Sequence, residues 1–174
     1  MTILKILTTE SYDKKLRPPI LRDDAVPVVG FDDKLRTIID DLIETMKQDV
    51  ICIGLAAPQV GIGLQIAIVC MDRDFANAKI IINPTNVIEL GKKDTKRESC
   101  MSLPNKGGNV ERYKKLSVDV MTVEGKKTKL QFDGFEARVA AHEIDHLNGI
   151  MYSDKIKGEL EPLDFDSIRK KLKG

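Results

Sequence analysis

Both histidines of this chain lie four residues apart, as His142 and His146 in the stretch AHEIDH. The surrounding residues 134–148 predict a helix, and at this spacing two side chains lie about 40° apart around a helix axis. Both imidazoles can therefore reach one metal ion. Glu143 lies about 100° from His142, where a carboxylate flanks the ion and can transfer protons. The stretch predicts a metal hydrolase site rather than two unrelated histidines on an amphipathic surface.

The residues around the motif support the helix. Asp133, followed by Glu136 three positions later, is typical of a capping box. Gly149 is placed to end the helix in the left-handed conformation. Phe135 and Val139 belong to the same stripe as the histidines, so we expect this face of the helix to point into the core.

Two histidines do not complete a catalytic metal site, which generally has three protein ligands and one open position. Tyr152 stands where a metzincin would have its third histidine. Glu159 or Glu161 would be the third ligand in a gluzincin, although both follow the helix too closely for a good match. Cys100 is the other candidate, since a thiolate binds Zn²⁺ or Fe²⁺ strongly. The residues alone leave these alternatives open.

The remaining sequence predicts an α+β fold. Antiparallel strands would pack around the buried metal-binding helix, with an N-terminal and a C-terminal helix, in a single domain over residues 1–174. We expect a Pro-rich irregular segment before the first helix. Helices are predicted at 31–49 and 166–174, and a loop is predicted at 52–63. Strands are predicted at 64–71 and at 78–84, followed by a further strand that ends at Gly91. Residues 115–123 and 128–132 are predicted to form a hairpin.

Composition narrows the setting of the protein. The net charge is +1, so nothing global points to DNA or to a membrane surface. The N-terminal residues lack the apolar core of a signal peptide. The three cysteines are an odd number, which together with the missing signal predicts reduced thiols and a cytoplasmic location.

Three segments resemble the motifs of the peptide deformylases. GLAAPQVG (residues 54–61), ESCMSLP (98–104) and HEIDHLNG (142–149) occur in the same order as in that family. The resemblance covers nearly the whole chain. It implies a hydrolase that removes the formyl group from the N-terminal formyl-methionine of new polypeptides.

The resemblance also implies a metal site. Cys100, His142 and His146 would bind one divalent ion, which is Fe²⁺ in many native deformylases and often Zn²⁺ or Ni²⁺ after purification. Water would be the fourth ligand, and Glu143 would act first as general base and then as general acid.

Further residues follow from the same motifs. The side-chain amide of Gln59 and the backbone N–H of Met101 would polarise the formyl oxygen. From residue types alone, we also expect Glu98 to pair with Arg112 and to brace the Cys100 loop. The expected substrate-binding residues are Ile53, Gly54, Leu55, Phe135 and Val139.

Each motif departs from the family pattern once. Cys52 and Ser99 stand where glycines are expected, and Ala141 stands where glutamine is expected. Lys96 occupies a position that often faces the methionine pocket, where a cation would favour a polar or acidic side chain. These changes keep a second function open, namely a related amidase with a different N-formyl substrate.

A third function is a non-catalytic, ribosome-associated paralogue. The C-terminal basic helix carries Arg169, Lys170, Lys171 and Lys173, which could contact ribosomal RNA as that helix can in the family. Such a run of charges is also common on a solvated helix face.

Overall fold

The computed structural model describes residues 1–9 and 18–173. Within these residues the chain forms three α-helices, seven β-strands and short 3₁₀ turns. The helices are α1 (Asp33–Lys47), α2 (Gly134–Leu147) and α3 (Phe165–Lys173). The strands are β1 (Gly54–Ala56), β2 (Ile66–Val69), β3 (Lys79–Ile82), β4 (Thr85–Cys100), β5 (Leu103–Met121), β6 (Lys127–Asp133) and β7 (Ile156–Pro162).

The strands form two antiparallel sheets. One sheet has the order β1-β2-β3, and the other is built on the long strand β5. β4 pairs along one edge of β5, while β7 and β6 share the other edge, β7 near residues 106–110 and β6 near residues 115–121. Helix α2 packs against strands of both sheets. The predicted α+β fold, with antiparallel strands around a buried helix, is confirmed.

Helix α1 covers the small sheet. Its N-terminus is capped, because the Asp32 carboxylate accepts hydrogen bonds from the backbone N–H groups of Lys34 and Leu35. Its apolar stripe is buried against the strand residues. Burying each large aliphatic side chain contributes roughly 1.5–3 kcal/mol, so packing rather than helix propensity holds α1 in place. The residues in this contact are Leu35, Ile39, Leu42, Met46, Leu55, Ile66 and Ile68.

Helix α2 ends as the sequence predicts. Gly149 has φ +63°, and its N–H donates to the His146 carbonyl at 3.3 Å. The N–H of Ile150 donates to the Asp145 carbonyl at 2.9 Å, which completes a Schellman motif. A Cβ at position 149 would also collide with the carbonyl of Arg22. Glycine is therefore required here both for its positive φ and for the close approach of Arg22.

The predicted start of α2 is wrong in one respect. The Asp133 side chain makes no capping hydrogen bond. Its carboxylate instead lies 3.3 Å from the ammonium of Lys115 on the neighbouring strand, and Glu136 binds Lys79 at 2.7 Å. Phe135 is also not in the core, since 48 % of its surface is exposed.

The strands of the large sheet are longer than predicted, whereas β2 and β3 are shorter than the predicted strands 64–71 and 78–84. Gly91 does not end β4, because its φ of +81° lies at a register shift after which pairing with β5 resumes as far as Cys100. The predicted loop 52–63 contains β1 and a 3₁₀ turn, and β7 was not predicted. The hairpin of β5 with β6 is confirmed.

The segment before α1 is largely irregular, as predicted. It holds a short 3₁₀ turn and two isolated bridges, and Leu16 and Arg17 of the predicted segment lie outside the described residues. None of the described helices combines the length and apolar character that a membrane span needs.

Candidate metal centre

The end of β4 brings Cys100 to the two histidines of α2. The ligand atoms of Cys100, His142 and His146 all lie within 4.8 Å of one another, and all three residues are buried. The Cys100 Sγ lies 3.3 Å from His146 Nε2, and the two imidazole rings meet edge to face at 4.9 Å. Over residues 1–9 and 18–173 no other group of His, Cys, Asp or Glu side chains has this geometry.

The alternative third ligands lie elsewhere. Glu159 and Glu161 are exposed on β7. Tyr152 is buried beside the histidines, but its ring stacks on His142 at 5.9 Å and its hydroxyl donates to the Lys106 carbonyl at 3.0 Å. Cys100 is therefore the residue that joins the histidines.

The donor set fits a divalent ion. His142 Nδ1 lies 3.1 Å from Glu98 Oε2, so an Nδ1–H that donates to this carboxylate leaves Nε2 as a free acceptor for a metal. One thiolate and two imidazoles suit Zn²⁺ or Fe²⁺, and three protein ligands leave a position for a reactant. The site thus has the ligand types and the tautomer control that a catalytic metal requires.

Glu98 is the hub of a buried ion network. Arg112 donates to both of its carboxylate oxygens, at 2.6 and 3.0 Å, and Arg138 donates to Oε1 at 2.6 Å. Burial alone would raise the pKa of Glu98, but the hydrogen bonds from His142 and Arg112 outweigh it and hold the pKa well below its usual range. Glu98 therefore stays ionised and holds the His142 ring in place.

The predicted contact of Glu98 with Arg112 is present, but two members of the network were not predicted. Asp145 accepts from Arg112 at 2.8 Å, and Arg138 also donates to Asp94 Oδ1 at 2.7 Å. The sequence did hold a signal for them. Arg138 precedes His142 by one helical turn, and Asp145 precedes His146 by one residue, on the part of α2 already assigned to the core.

Glu143 lies beside the donor set without joining it. Its carboxylate is buried, and Oε2 has no hydrogen-bond partner among the described residues. Burial raises the pKa of Glu143 to about 7. Gly54 makes room for this group, because a Cβ there would collide with the Glu143 carboxylate and with Val139. Such a carboxyl group is suited to gain and lose a proton near neutral pH.

Gln59 is a positioned amide, not a solvated one. Its Oε1 accepts from the N–H of Ala56 at 2.9 Å, which fixes the orientation of the amide. Its Nε2 then points at the site and donates to Ser102 Oγ at 3.2 Å and to Cys100 Sγ at 3.4 Å. Ser102 and the fixed amide connect the first motif to the second.

These groups share one cavity of about 470 Å³. Four of the five expected substrate-binding residues line it, namely Ile53, Gly54, Phe135 and Val139. Met101 lines it as well. Leu55 does not line the cavity, because its side chain is fully buried against α1.

The cation near the cavity is not the expected one. The exposed ammonium of Lys96 lies 3.7 Å from Asp94, and Lys96 does not line the cavity. The neighbouring Arg97 does, and its guanidinium donates to the Pro162 carbonyl at 2.8 Å. Alternation along β4 places these two successive side chains on opposite faces.

The three unusual motif residues lie in different surroundings. Cys52 is buried, lines the cavity and places its Sγ 3.4 Å from the Gly54 carbonyl. Burial raises the pKa of its thiol, which makes the thiol less reactive. Ser99 also lines the cavity, whereas Ala141 belongs to α2 and packs into the core.

The chain is similar to known deformylases over nearly its full length. Residues 11–161 match the sequence profile of the polypeptide deformylase family. The chain is 41 % identical to the peptide deformylase of Halothermothrix orenii over 144 residues, which are 82 % of this chain and 91 % of that protein. It is 37 % identical to peptide deformylase 2 of Clostridium acetobutylicum over 137 residues, covering 79 % of this chain and 89 % of that one.

Solved structures agree with the sequences. The peptide deformylase of Thermotoga maritima superposes with a TM-score of 0.79 at 31 % identity, over 91 % of this chain and 100 % of that one. The Synechococcus elongatus peptide deformylase, solved in complex with actinonin, gives 0.79 at 29 % identity, over 99 % and 87 % of the two chains. Sequence and fold together show that the chain belongs to the peptide deformylase family.

Proposed function

We propose that this protein is a metal-dependent deformylase that removes the formyl group from the N-terminal formyl-methionine of new polypeptides. The observation that carries the proposal is the convergence of Cys100, His142 and His146, of which Cys100 and His142 line one cavity together with the buried Glu143. The membership of the family supports the same reaction.

The protein side chains have separate roles in the proposed reaction. A bound divalent ion would lower the pKa of water to about 7 and polarise the formyl oxygen. Glu143 takes a proton from the attacking water, whose oxygen forms a bond to the formyl carbon. Negative charge develops on the formyl oxygen, where the Gln59 amide and the Met101 N–H donate hydrogen bonds. The carbon–nitrogen bond breaks, Glu143 delivers the proton to the amine, and formate leaves.

The surrounding network keeps the ligands in place through the reaction. Glu98 holds His142, and Arg112 with Arg138 neutralises the Glu98 charge. Removing a contact of this kind typically lowers metal affinity or activity about 10–100-fold. Fe²⁺ is the ion that we propose in the cell, with Zn²⁺ or Ni²⁺ as active replacements in purified protein.

The wider setting follows from the substrate. Because new polypeptides are the substrate, we propose that the protein acts in the cytoplasm, with residues 1–174 as one catalytic domain. A ribosome contact through α3 would involve Lys170, Lys171 and Lys173, which are exposed. Arg169 contributes less to such a contact, because Asp49 and Asp166 already bind its guanidinium.

Formate release from formyl-Met-Ala-Ser is the direct test. The protein is purified without oxygen, so that neither Fe²⁺ nor Cys100 is oxidised, and is loaded with Fe²⁺, Ni²⁺ or Zn²⁺. We expect turnover that a chelator abolishes and that fresh metal restores. Turnover of other N-formyl peptides but not of formyl-methionine peptides would instead favour the related amidase. No turnover of any formyl peptide by metal-loaded protein would contradict both.

A further inference from the structure

Arg73 combines an unusual backbone conformation with an unusual set of side-chain contacts. Its φ of +63° lies in the left-handed region, which residues with a Cβ rarely adopt. Its half-buried guanidinium donates hydrogen bonds to four backbone carbonyl groups, those of Met46 at 3.0 Å, Lys47 at 3.2 Å, Asp49 at 3.0 Å and Cys52 at 2.8 Å. A strained residue persists only where its surroundings hold it, and such residues cluster at functional sites.

The four carbonyl groups belong to two successive pieces of chain. The first two end α1, where the last carbonyl groups of a helix lack partners within it and attract a cation. The other two belong to residues 48–53, which form turns and irregular chain between α1 and β1. The ring of Phe75 supports the guanidinium, with its centroid 5.1 Å from Arg73 Cζ. Arg73 thus connects the end of α1 to the segment before β1.

Arg73 also extends the contact between β1 and β2. The pairing of these strands reaches Val69, and the N–H of the next residue, Cys70, still donates to the Ile53 carbonyl at 2.9 Å. The preceding carbonyl, that of Cys52, accepts from the Arg73 guanidinium instead. A side chain therefore takes over where backbone groups stop holding the two segments together.

The segment that Arg73 holds lies against the proposed acid and base. The cavity extends from the metal ligands to Leu172 of α3, and residues 50–54 line it. The backbone of Gly54 lies directly against the Glu143 carboxylate, which leaves no room for a Cβ. Cys52 precedes Gly54 by two residues, and its Sγ lies 3.4 Å from the Gly54 carbonyl oxygen. A displacement at Cys52 therefore reaches Glu143 through a very short piece of chain.

We propose that Arg73 is a positioning residue for the reaction, whose guanidinium keeps residues 50–54 packed against Glu143. The proposal rests on the deformylase function proposed above, in which Glu143 transfers the proton. Glycine would adopt the left-handed conformation at position 73 without strain, so the side chain and not the turn is the reason for an arginine here. Without the guanidinium, four carbonyl groups lose a charged donor and residues 50–54 open locally.

Arg73→Gly is the first test, because it removes the guanidinium and relieves the backbone strain, so that the variant folds. We expect kcat for formate release, counted per bound metal ion and well below the melting temperature, to fall about 10-fold, since a misplacement of 1 Å can cost roughly 10²-fold. Alkylation of Cys52 by iodoacetamide, located by peptide mass spectrometry, should become at least about 10-fold faster as the segment opens. A merely structural role would lower the melting temperature and leave both values unchanged.

Two further variants of Arg73 and one control sharpen the test. Arg73→Met keeps the backbone strain and should match the glycine variant in both measurements. Arg73→Lys keeps the charge but replaces a planar fork by a single point donor, so it should restore part of both wild-type values. Arg36→Met is the matched control and should leave both unchanged, because Arg36 makes only an exposed ion pair with Glu124 at 3.6 Å.

Wild-type kcat in Arg73→Gly would overturn the positioning role while leaving the deformylase function intact, whether or not Cys52 is alkylated faster. A wild-type alkylation rate would overturn it as well, because residues 50–54 would then stay packed without the guanidinium. Absence of formate release from the metal-loaded wild-type protein would instead overturn the proposed function itself.

Discussion

The two ends of the cavity are built in opposite ways. At the inner end, ionised and metal-binding side chains are buried and held by short hydrogen bonds, as in the contacts of Glu98 with Arg112 and Arg138. At the outer end, the aliphatic and aromatic side chains of Phe135 and Leu172 are half exposed. The Asp49–Arg169 pair connects the helix that carries much of this outer end to the segment that follows α1.

The difference separates two tasks. Buried charges hold one arrangement, because any displacement leaves a charge without its partner in a low dielectric medium. Apolar contacts are not directional, so they tolerate many side chains at a modest gain each. The inner end is therefore rigid where the reaction is proposed to take place, and the outer end is adaptable. Substitutions at the two ends should then differ in both size and type of effect.

Glu143→Gln should have the largest effect. The amide keeps the shape of the side chain but cannot accept and return a proton, so we expect kcat to fall about 10²–10⁴-fold. Formate release measures the rate, and elemental analysis should show unchanged metal content because Glu143 is not a ligand. Glu136→Gln, at the first turn of the same helix, is the control and should stay near the wild-type rate. More than a tenth of the activity in the Glu143 variant would contradict its role.

Arg112→Ala tests the network at the inner end. It removes the main partner of Glu98 and one partner of Asp145, both buried. Breaking a buried pair in this way lowers the free energy of unfolding by about 3–5 kcal/mol. Urea unfolding measures the loss, and a metal titration should show affinity reduced about 10–100-fold. Lys157→Ala, which breaks an exposed pair with Glu111, should change both far less. Unchanged metal content and stability in the Arg112 variant would refute the bracing role.

Gly54→Ala probes the space around Glu143. The added methyl group meets the Glu143 carboxylate and Val139, and overpacking of this kind lowers stability by about 1–3 kcal/mol. A displaced carboxylate should also reduce kcat, by up to about 10²-fold. Thermal unfolding and formate release measure the two effects. Gly30→Ala is the comparison, since a Cβ there meets only the flexible Asp32 side chain at ordinary contact distance. Full activity in the Gly54 variant would show that Glu143 can move without penalty.

Asp49→Asn should have the smallest effect and tests the outer end. Burial raises the pKa of Asp49, but hydrogen bonds from Arg169 and from the Ile51 backbone N–H, with smaller contributions from the charges of Arg169 and Lys173, outweigh it and lower the pKa below its usual value. The pKa of an Asp carboxyl group in the unfolded chain is about 3.9. A carboxyl group whose pKa is lower in the folded protein stabilises the fold at pH values above about 3.9, and this stabilisation is lost as the pH falls through the pKa of the folded protein. The variant should therefore melt below wild type at pH 7, and the difference should shrink below about pH 4. A difference that is constant with pH would mean that the ion pair does not stabilise α3.

The sequence predicted the inner end better than the outer end. The spacing of His142 and His146 is a local property, because four residues make one helical turn whatever the helix packs against. The contact of Glu98 with Arg112 also followed from residue types. By contrast, the helix spacing places Arg138 one turn from His142, but its partners on β4 and β5 follow only from the fold. Its role depends on strands far away in the chain.

The same limit explains the errors in the fold. Gly91 marks a break in the local strand pattern, yet the partner strand β5 carries the pairing past it. Asp133 has the sequence of a cap but lies at the end of β6, where Lys115 binds its carboxylate. Phe135 shares the histidine stripe but lies beyond the edge of the core, at the cavity. In each case tertiary contacts override a correct local pattern.

The most direct test of the central claim is a metal titration of the metal-free protein, followed by formate release from formyl-Met-Ala-Ser. A single site made of Cys100, His142 and His146 predicts that activity rises linearly and reaches its plateau at one equivalent of Fe²⁺ or Ni²⁺. Cys100→Ala should bind far less metal and show no such rise. Formate release that is undiminished in the metal-free protein, or that is unaffected by the loss of Cys100, would contradict the account.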